Sequence, residues 1–264
     1  MGYHPRLDSE GVADMTKLTK SWEYLDHIQS LLKKVRETQA EAIEQSIELL
    51  FSTFKQGNSI FAFGASHAGI ITEELYCRAG GMMITNPVFN PTLMLNTMPF
   101  PITSGMERLE GFGQIIIRNS KLKAGDLLVI HSVSGRNAVT IDMAIEAKKM
   151  GAKIIVITGL EYSKAIPSRH SGGKNLFEFG DIVIDNCGEI GDASMDVGDG
   201  SGVKAGPTST AVGATIANMI AVGFAELCAA NGIEPPIFKS ANNVEDPERD
   251  KRIFGKYKGQ IHYL

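Results

Sequence analysis

Ser132, Ser134 and Asn137 place two hydroxyls and an amide in the run Ser132-Val133-Ser134-Gly135-Arg136-Asn137, directly after the apolar segment Leu127–His131. A second small-residue turn, Gly64-Ala65-Ser66, follows the apolar segment Ser59–Phe63. Both read as a strand, a turn and a helix start, which aims backbone N–H groups and a positive helix end at one point and favours an anion such as phosphate. Gly64 and Gly135 permit close approach of the backbone or a positive φ. Hydroxyl, amide and backbone donors hold a phosphate without a Lys or Arg. One such turn alone caps a helix just as well. Two in matching positions point to a shared site at the carboxyl edge of a parallel sheet. The chain has no GxxxxGK[ST] run and no GxGxxG in its first strand–helix turn, which disfavours a nucleoside triphosphate and a dinucleotide.

Those turns need a sheet to hold them. From residue 58 onward, strand patterns alternate with helical ones, which is the mark of a parallel sheet. The strands are expected at Ser59–Phe63, Met82–Thr85, Leu127–His131, Ile154–Thr158 and Asp181–Asp185. Helices are expected over Ser66–Ala79, Phe112–Asn119 and Asn137–Met150, and from Pro207-Thr208-Ser209 to Asn231. The pattern predicts an α/β fold with a doubly wound, five-stranded parallel sheet. Asn86–Glu107 and Glu161–Gly180 read as long irregular segments, as does the Gly-rich stretch before Gly206. Loops of that length carry function more often than simple connections do. Ahead of the sheet, an apolar stripe from Leu25 to Phe54 predicts a long N-terminal helix, broken near Thr38. Residues 1–14 show no periodicity and are read as a disordered tail or expression remnant, with Met15 a possible first residue. Residues 15–57 then form the helical segment, and 58–264 one domain with a C-terminal extension.

The chain has 264 residues, 43% of them hydrophobic, 28 glycines and a net charge of -4. That charge leaves no electrostatic footprint for nucleic acid. No apolar run approaches the roughly 20 residues of a membrane span, and the N-terminus lacks the basic-then-apolar pattern of a signal peptide. Cys77, Cys187 and Cys228 are far apart, outside any CxxC spacing, and read as buried thiols in a reducing cytoplasm. No metal and no cofactor is expected.

The two turns and the order of elements around them resemble the SIS (sugar isomerase) domain, which binds phosphosugars. Ser132–Asn137 is similar to the SIS pattern Ser-x-Ser-Gly-x-Thr, with Asn137 in place of the usual Thr or Ser. The likeness continues through Ala144, Ala147, Lys148, Gly151, Ala152 and Ile157-Thr158-Gly159. Ala62-Phe63-Gly64-Ala65-Ser66 resembles the upstream Gly-x-Gly-x-Ser, with Ala62 for a glycine, and Ala205–Thr210 resembles the Pro-Thr-Ser helix start. Ser66-His67-Ala68 followed by Glu73-Glu74-Leu75 is similar to a stretch of phosphoheptose isomerase, at a shorter spacing. The resemblance covers residues 57–231 and implies a flavodoxin-like strand order, a phosphosugar ligand held by Gly64, Ser66, Ser132, Ser134, Gly135 and Asn137, and a site built at a subunit contact.

Isomerising an aldose phosphate needs a base that moves a proton between adjacent carbons and a group that opens the ring. Glu73, seven residues after Ser66, lies on nearly the same helix face; Glu74 is turned to the flank. His67 sits in the first turn of that helix, and His170 lies in the irregular segment after the fourth strand, at the ligand-binding edge. These four are the acid–base candidates, while His131 reads as a core histidine. Three functions remain open: sugar-phosphate isomerase, sugar-phosphate sensor without turnover, and a lyase on an amino-sugar phosphate. The long N-terminal stripe suits a homodimer or homotetramer.

Overall fold

Five short runs rich in Ile, Val, Leu and Phe build the centre of the computed structural model, which describes residues 19–198, 200–240, 246 and 248–264. The expected tail over residues 1–14 lies outside the described residues. Helices α1 (Thr19–Thr38) and α2 (Ala40–Lys55) lead into β1 (Ile60–Gly64), α3 (Gly69–Leu75), β2 (Thr85–Pro87), α4 (Pro101–Glu107) and α5 (Phe112–Arg118). Next come β3 (Leu127–His131), α6 (Ala138–Lys149), β4 (Lys153–Thr158), α7 (Leu160–Ala165) and β5 (Ile182–Asp185). The chain continues through β6 (Ala193–Asp196), β7 (Lys204–Pro207), α8 (Ser209–Ala230) and α9 (Arg249–Tyr257). Strands β1 to β5 form one sheet in the order β2-β1-β3-β4-β5, and every pairing in it is parallel.

Alternate strand residues serve opposite faces. Ile60, Ala62, Leu127, Val129, Ile155 and Ile157 join the core beneath α2, α3 and α8. Phe61, Phe63, Leu128, Ile130, Ile154 and Val156 join the core beneath α5 and α6. Because both faces are covered, the strands read in sequence as unbroken apolar runs. Phe224 of α8 meets Phe54 of α2 edge-to-face, with centroids 5.3 Å apart.

The break expected near Thr38 is present, at Gln39, and divides the N-terminal stripe into two helices. Several elements depart from the sequence expectation. The expected Ser66–Ala79 helix is a 3-10 turn, Ser66–Ala68, followed by α3, which stops at Leu75. Met82–Ile84, expected as strand, is buried, but its backbone answers the C-terminal segment: Met83 N–H donates to the Pro236 carbonyl at 2.8 Å. The second sheet strand therefore starts at Thr85, where it was expected to end. The segment Glu161–Gly180 contains α7 and a 3-10 turn at Leu176–Phe179, and Asn86–Glu107 contains α4. The Gly-rich stretch before Gly206 carries the antiparallel hairpin β6–β7, held to α1 where the Tyr24 hydroxyl donates to the Pro207 carbonyl at 2.7 Å. Cys77, expected buried, is exposed; Cys187 and Cys228 are buried, and burial pushes the Cys228 thiol up to about 11. Among the described residues α8 alone has the length and hydropathy of a membrane span, yet its Val212, Ile216, Ile220 and Phe224 lie in the core.

At the amino edge of the sheet the fully buried Asp126 carboxylate accepts from the backbone N–H groups of Ser59 and Lys123, each at 2.8 Å. It fixes β1 against the entry to β3. Asp126→Ala strands both donors in a dry environment and is expected to lower stability by about 3 kcal/mol, read as a shift of the urea unfolding midpoint. A midpoint equal to wild type would remove that role.

Candidate functional site

The strand order reverses between β1 and β3: the chain leaves β1 toward β2 and leaves β3 toward β4. In open α/β sheets ligands bind at such a reversal, beyond the carboxyl ends of the strands. Gly64, the last residue of β1, is in register with His131, the last of β3. The turns Gly64-Ala65-Ser66 and Ser132–Gly135 therefore leave the sheet side by side. Both glycines are dictated by close packing. A Cβ on Gly64 would lie 2.2 Å from the Ala68 carbonyl oxygen, and one on Gly135, whose φ is +60°, would lie 2.8 Å from Ser163 Oγ. Ser66 takes a left-handed φ of 58°, which ends the strand abruptly and prevents a continuous helix from starting there.

Helix starts at this edge differ in how their free N–H groups are answered. At α7 the Asp185 carboxylate accepts from Leu160 N–H at 2.9 Å. At α8 the Asp192 carboxylate accepts from Thr208 N–H at 3.1 Å and Ser209 N–H at 2.8 Å, and from the Ser209 hydroxyl at 2.8 Å. Helix α6 has no side-chain cap. Beside it, the hydroxyls of Ser132 and Ser134 carry no hydrogen bond within the protein among the described residues, while the Ser132 backbone is fixed by Ser132 N–H to Ile157 O at 3.1 Å and by the Thr158 hydroxyl on Ser132 O at 2.7 Å. Two fixed, unused hydroxyls and an uncapped 12-residue helix start make an anion cradle.

A residue that the sequence did not single out joins the two turns. Glu107, at the last position of α4, accepts from Asn137 Nδ2 at 2.7 Å, and the Ser66 hydroxyl acts on the same carboxyl. The Asn137 Oδ1 accepts in turn from Arg169 at 2.7 Å, and Arg169 N–H donates to the Arg136 carbonyl at 2.9 Å. Burial raises the Glu107 carboxyl above its ordinary 4.5, against the pull of Arg108 and Arg169 and the Ser66 hydrogen bond. Arg169 is itself held below its usual value, by burial and then by repulsion from Arg136 and Arg108. The side chain of Asn137 thus acts on Glu107 and Arg169, although the spacing suggested a phosphate ligand.

The structure separates the four acid–base candidates. Glu73 is exposed, has no hydrogen bond within the protein, and lines a cavity of about 230 Å³ with Gly64 and Ser66. Glu74 points elsewhere, bound to Arg78 and to Asn218 Nδ2 of α8 at 2.7 Å. Against the cost of its burial, those bonds hold its carboxyl below the ordinary range. His67 is exposed on the 3-10 turn beside Ser66. His170 is turned to the outer helices: its Nδ1 accepts from Gly172 N–H at 2.9 Å, and its Nε2 lies 3.3 Å from the buried Asp142 of α6 and 3.7 Å from Glu110. Asp142 also accepts from Gly111 N–H at 2.6 Å, so His170 fastens its loop to α5 and α6. His131 is buried, with Nδ1 3.2 Å from the Ala68 carbonyl, and desolvation pushes it down to about 4. Ser132, Ser134 and Glu73 are candidates whose side chains carry no hydrogen bond among the described residues.

The SIS domain family profile matches residues 23–159. A UPF0309 protein of Oceanobacillus iheyensis is 46% identical over 94% of this chain and 100% of its own length. One from Shouchella clausii is 45% identical over 92% of this chain and 98% of its own. Among solved structures, a phosphoheptose isomerase from Francisella tularensis superposes with a TM-score of 0.53 at 17% identity, covering 80% of this chain and 100% of that one.

The raised Glu107 carboxyl has a consequence for stability. The folded chain keeps a proton there that the unfolded chain releases, so Glu107 subtracts stability as pH rises through the interval between the two values. Glu107→Gln removes that titration. Its melting temperature, taken relative to wild type, is expected to rise as pH climbs above the ordinary carboxyl value of 4.5 in parallel thermal melts. A difference that stays level with pH would place Glu107 in water.

Proposed function

The chain belongs to the SIS domain family, among the UPF0309 proteins, and from that premise we propose that it binds a phosphorylated sugar or amino sugar and isomerises it between aldose and ketose forms. The observation that carries this is the uncapped start of α6 beside the unused Ser132 and Ser134 hydroxyls, next to the turn whose Gly64 and Ser66 line a cavity with the carboxylate Glu73. The phosphate sits on those hydroxyls and on backbone N–H groups of the turns that Gly64 and Gly135 shape, with Ser66 on the opposite side. Glu73 moves the carbon-bound proton, and His67, which both donates and accepts near neutral pH, serves the ring oxygen. His170 and Asn137 contribute by fixing the loop and the carboxylate beside them. The fold likeness to a phosphoheptose isomerase supports the substrate class.

The exposed Trp22 and Leu25 of α1 and an apolar groove of about 740 Å³ between α2 and α8, lined by Ile43, Ile47, Met219 and Val222, support a homodimer or homotetramer. Free, unpaired cysteines support a place in the cytoplasm.

Calorimetry and exchange test the reading together. Across a panel of aldose and ketose phosphates of five to seven carbons, wild type is expected to bind at least one and to carry solvent deuterium onto the carbon beside its carbonyl. Ser134→Ala is expected to weaken that binding by about 1–3 kcal/mol, and unchanged affinity takes Ser134 out of the cradle. Tight binding with no deuterium uptake makes the protein a sensor; release of an amine or alcohol makes it a lyase. For the assembly, Val222→Asp is expected to lower the mass seen by light scattering at micromolar concentration, and a monomeric wild type refutes the assembly.

A further inference from the structure

Glu73 and Glu107 approach the Ser66 turn from different elements and in different surroundings. Glu73 stands on α3, exposed and unbonded. Glu107 closes α4, is held by the Asn137 amide at 2.7 Å, and has the Ser66 hydroxyl acting on it. The amide is pinned in turn by Arg169. This carboxylate at the end of α4 caps no helix start and makes no ion pair among the described residues, and its anchoring is maintained although burial penalises the ionised form. Ser66 is the neighbour they share, lining a cavity with Glu73 and acting on the Glu107 carboxyl, and carboxylates in unlike environments suit a division of acid and base roles.

Resting on the isomerase reading above, we infer that Glu107 is the oxygen-side acid–base residue of the reaction, shuttling a proton between the two substrate oxygens while Glu73 moves the carbon-bound one. The step balances within the site. Glu73 takes the proton from C2, and the C–H pair becomes the C1–C2 double bond. The carbonyl pair moves onto O1, which takes the proton of the Glu107 carboxyl. In the second half Glu107 accepts the O2 hydroxyl proton as C2 becomes the carbonyl, and the double-bond pair takes the carbon proton back from Glu73 at C1. Both carboxyls return to their starting states, and no oxidant, reductant or co-reactant is consumed.

The first half needs Glu107 protonated. Its raised carboxyl meets that need closer to neutral pH than an ordinary glutamate does. The charged and polar groups facing it are Arg108 from its own chain segment, Arg169 from the loop after α7, Ser66 and Asn137; Arg136 and Tyr162 face Arg169 behind them. The guanidiniums pull the carboxyl down and burial pushes it up, and burial prevails.

The test takes the panel sugar that wild type turns over and measures kcat and KM against pH for wild type, Glu107→Gln and Glu107→Asp. Glu107→Gln is expected to lower kcat by about 100-fold or more with KM within about threefold, and to lose the alkaline fall of the kcat profile. Glu107→Asp keeps an acid at the position and is expected to retain that fall at reduced kcat. A Glu107→Gln kcat within about threefold of wild type, or a wild-type kcat with no alkaline fall, overturns the assignment while leaving the isomerase intact. Binding without turnover in wild type itself overturns the isomerase reading and Glu107's role with it.

Discussion

Every helix start leaves backbone N–H groups without an intrahelical partner, and the carboxyl edge of this sheet is organised by how those groups are answered. The chain supplies its own carboxylates to two of the starts, Asp185 to α7 and Asp192 to α8. It supplies none to α6. Because a buried donor without a partner is unfavourable, an α6 start left open beside two unused serine hydroxyls is complete only when water or a ligand occupies it. The positive end of the helix sets the sign of that ligand. The strand reversal between β1 and β3 sets its place, because only there do the crossovers part and leave room above the sheet.

Glu107 carries the same logic into the acid–base chemistry. Desolvation disfavours its ionised form, and the groups that hold it return only part of that loss. A core optimised for stability alone would place an apolar or amide side chain there. Retaining the carboxyl costs fold stability as pH rises above the ordinary carboxyl value, and such perturbed groups gather at functional sites. The contrast with Glu74 is informative. Glu74 sits one residue from Glu73, but its bonds to Arg78 and Asn218 lower its carboxyl. They fasten α3 to α8 and give it no proton to exchange near neutrality.

The strands were legible because two-sided burial imposes continuous apolar runs, and both signature turns were legible because they follow those runs directly. Boundaries failed where distant contacts decided them. Met82–Ile84 has the composition of a strand, but residues 236–238 compete for its backbone, and α3 begins late because Ser66 takes a left-handed φ. The β6–β7 hairpin was hidden in glycines, because it is held partly by Tyr24, which approaches so closely that a Cβ on Gly206 would clash with its ring. Glu107 lay beyond local reading altogether. It is 41 positions from Ser66 in sequence, at the end of a segment whose helix has too few apolar residues to show a period. His170 is placed by a contact that its polar, loop-like surroundings in sequence do not show, with Nε2 3.3 Å from the buried Asp142 carboxylate.

The departure of Asn137 from the motif pattern is explained by the same network. A Ser or Thr hydroxyl at the start of α6 is short and offers one hydrogen to one acceptor. An amide carries its donor and its acceptor on separate atoms, so Asn137 donates to Glu107 from Nδ2 while accepting from Arg169 on Oδ1. It thereby stands between a carboxylate and a guanidinium without letting them close into a direct ion pair. A direct pair would hold the carboxyl ionised; the interposed amide positions it and leaves burial to dominate. With the amide so occupied, the donors left open at this helix start are the backbone N–H groups of α6 and the hydroxyls of Ser132 and Ser134. At this position the amide orients a carboxyl from one atom and receives a guanidinium on the other.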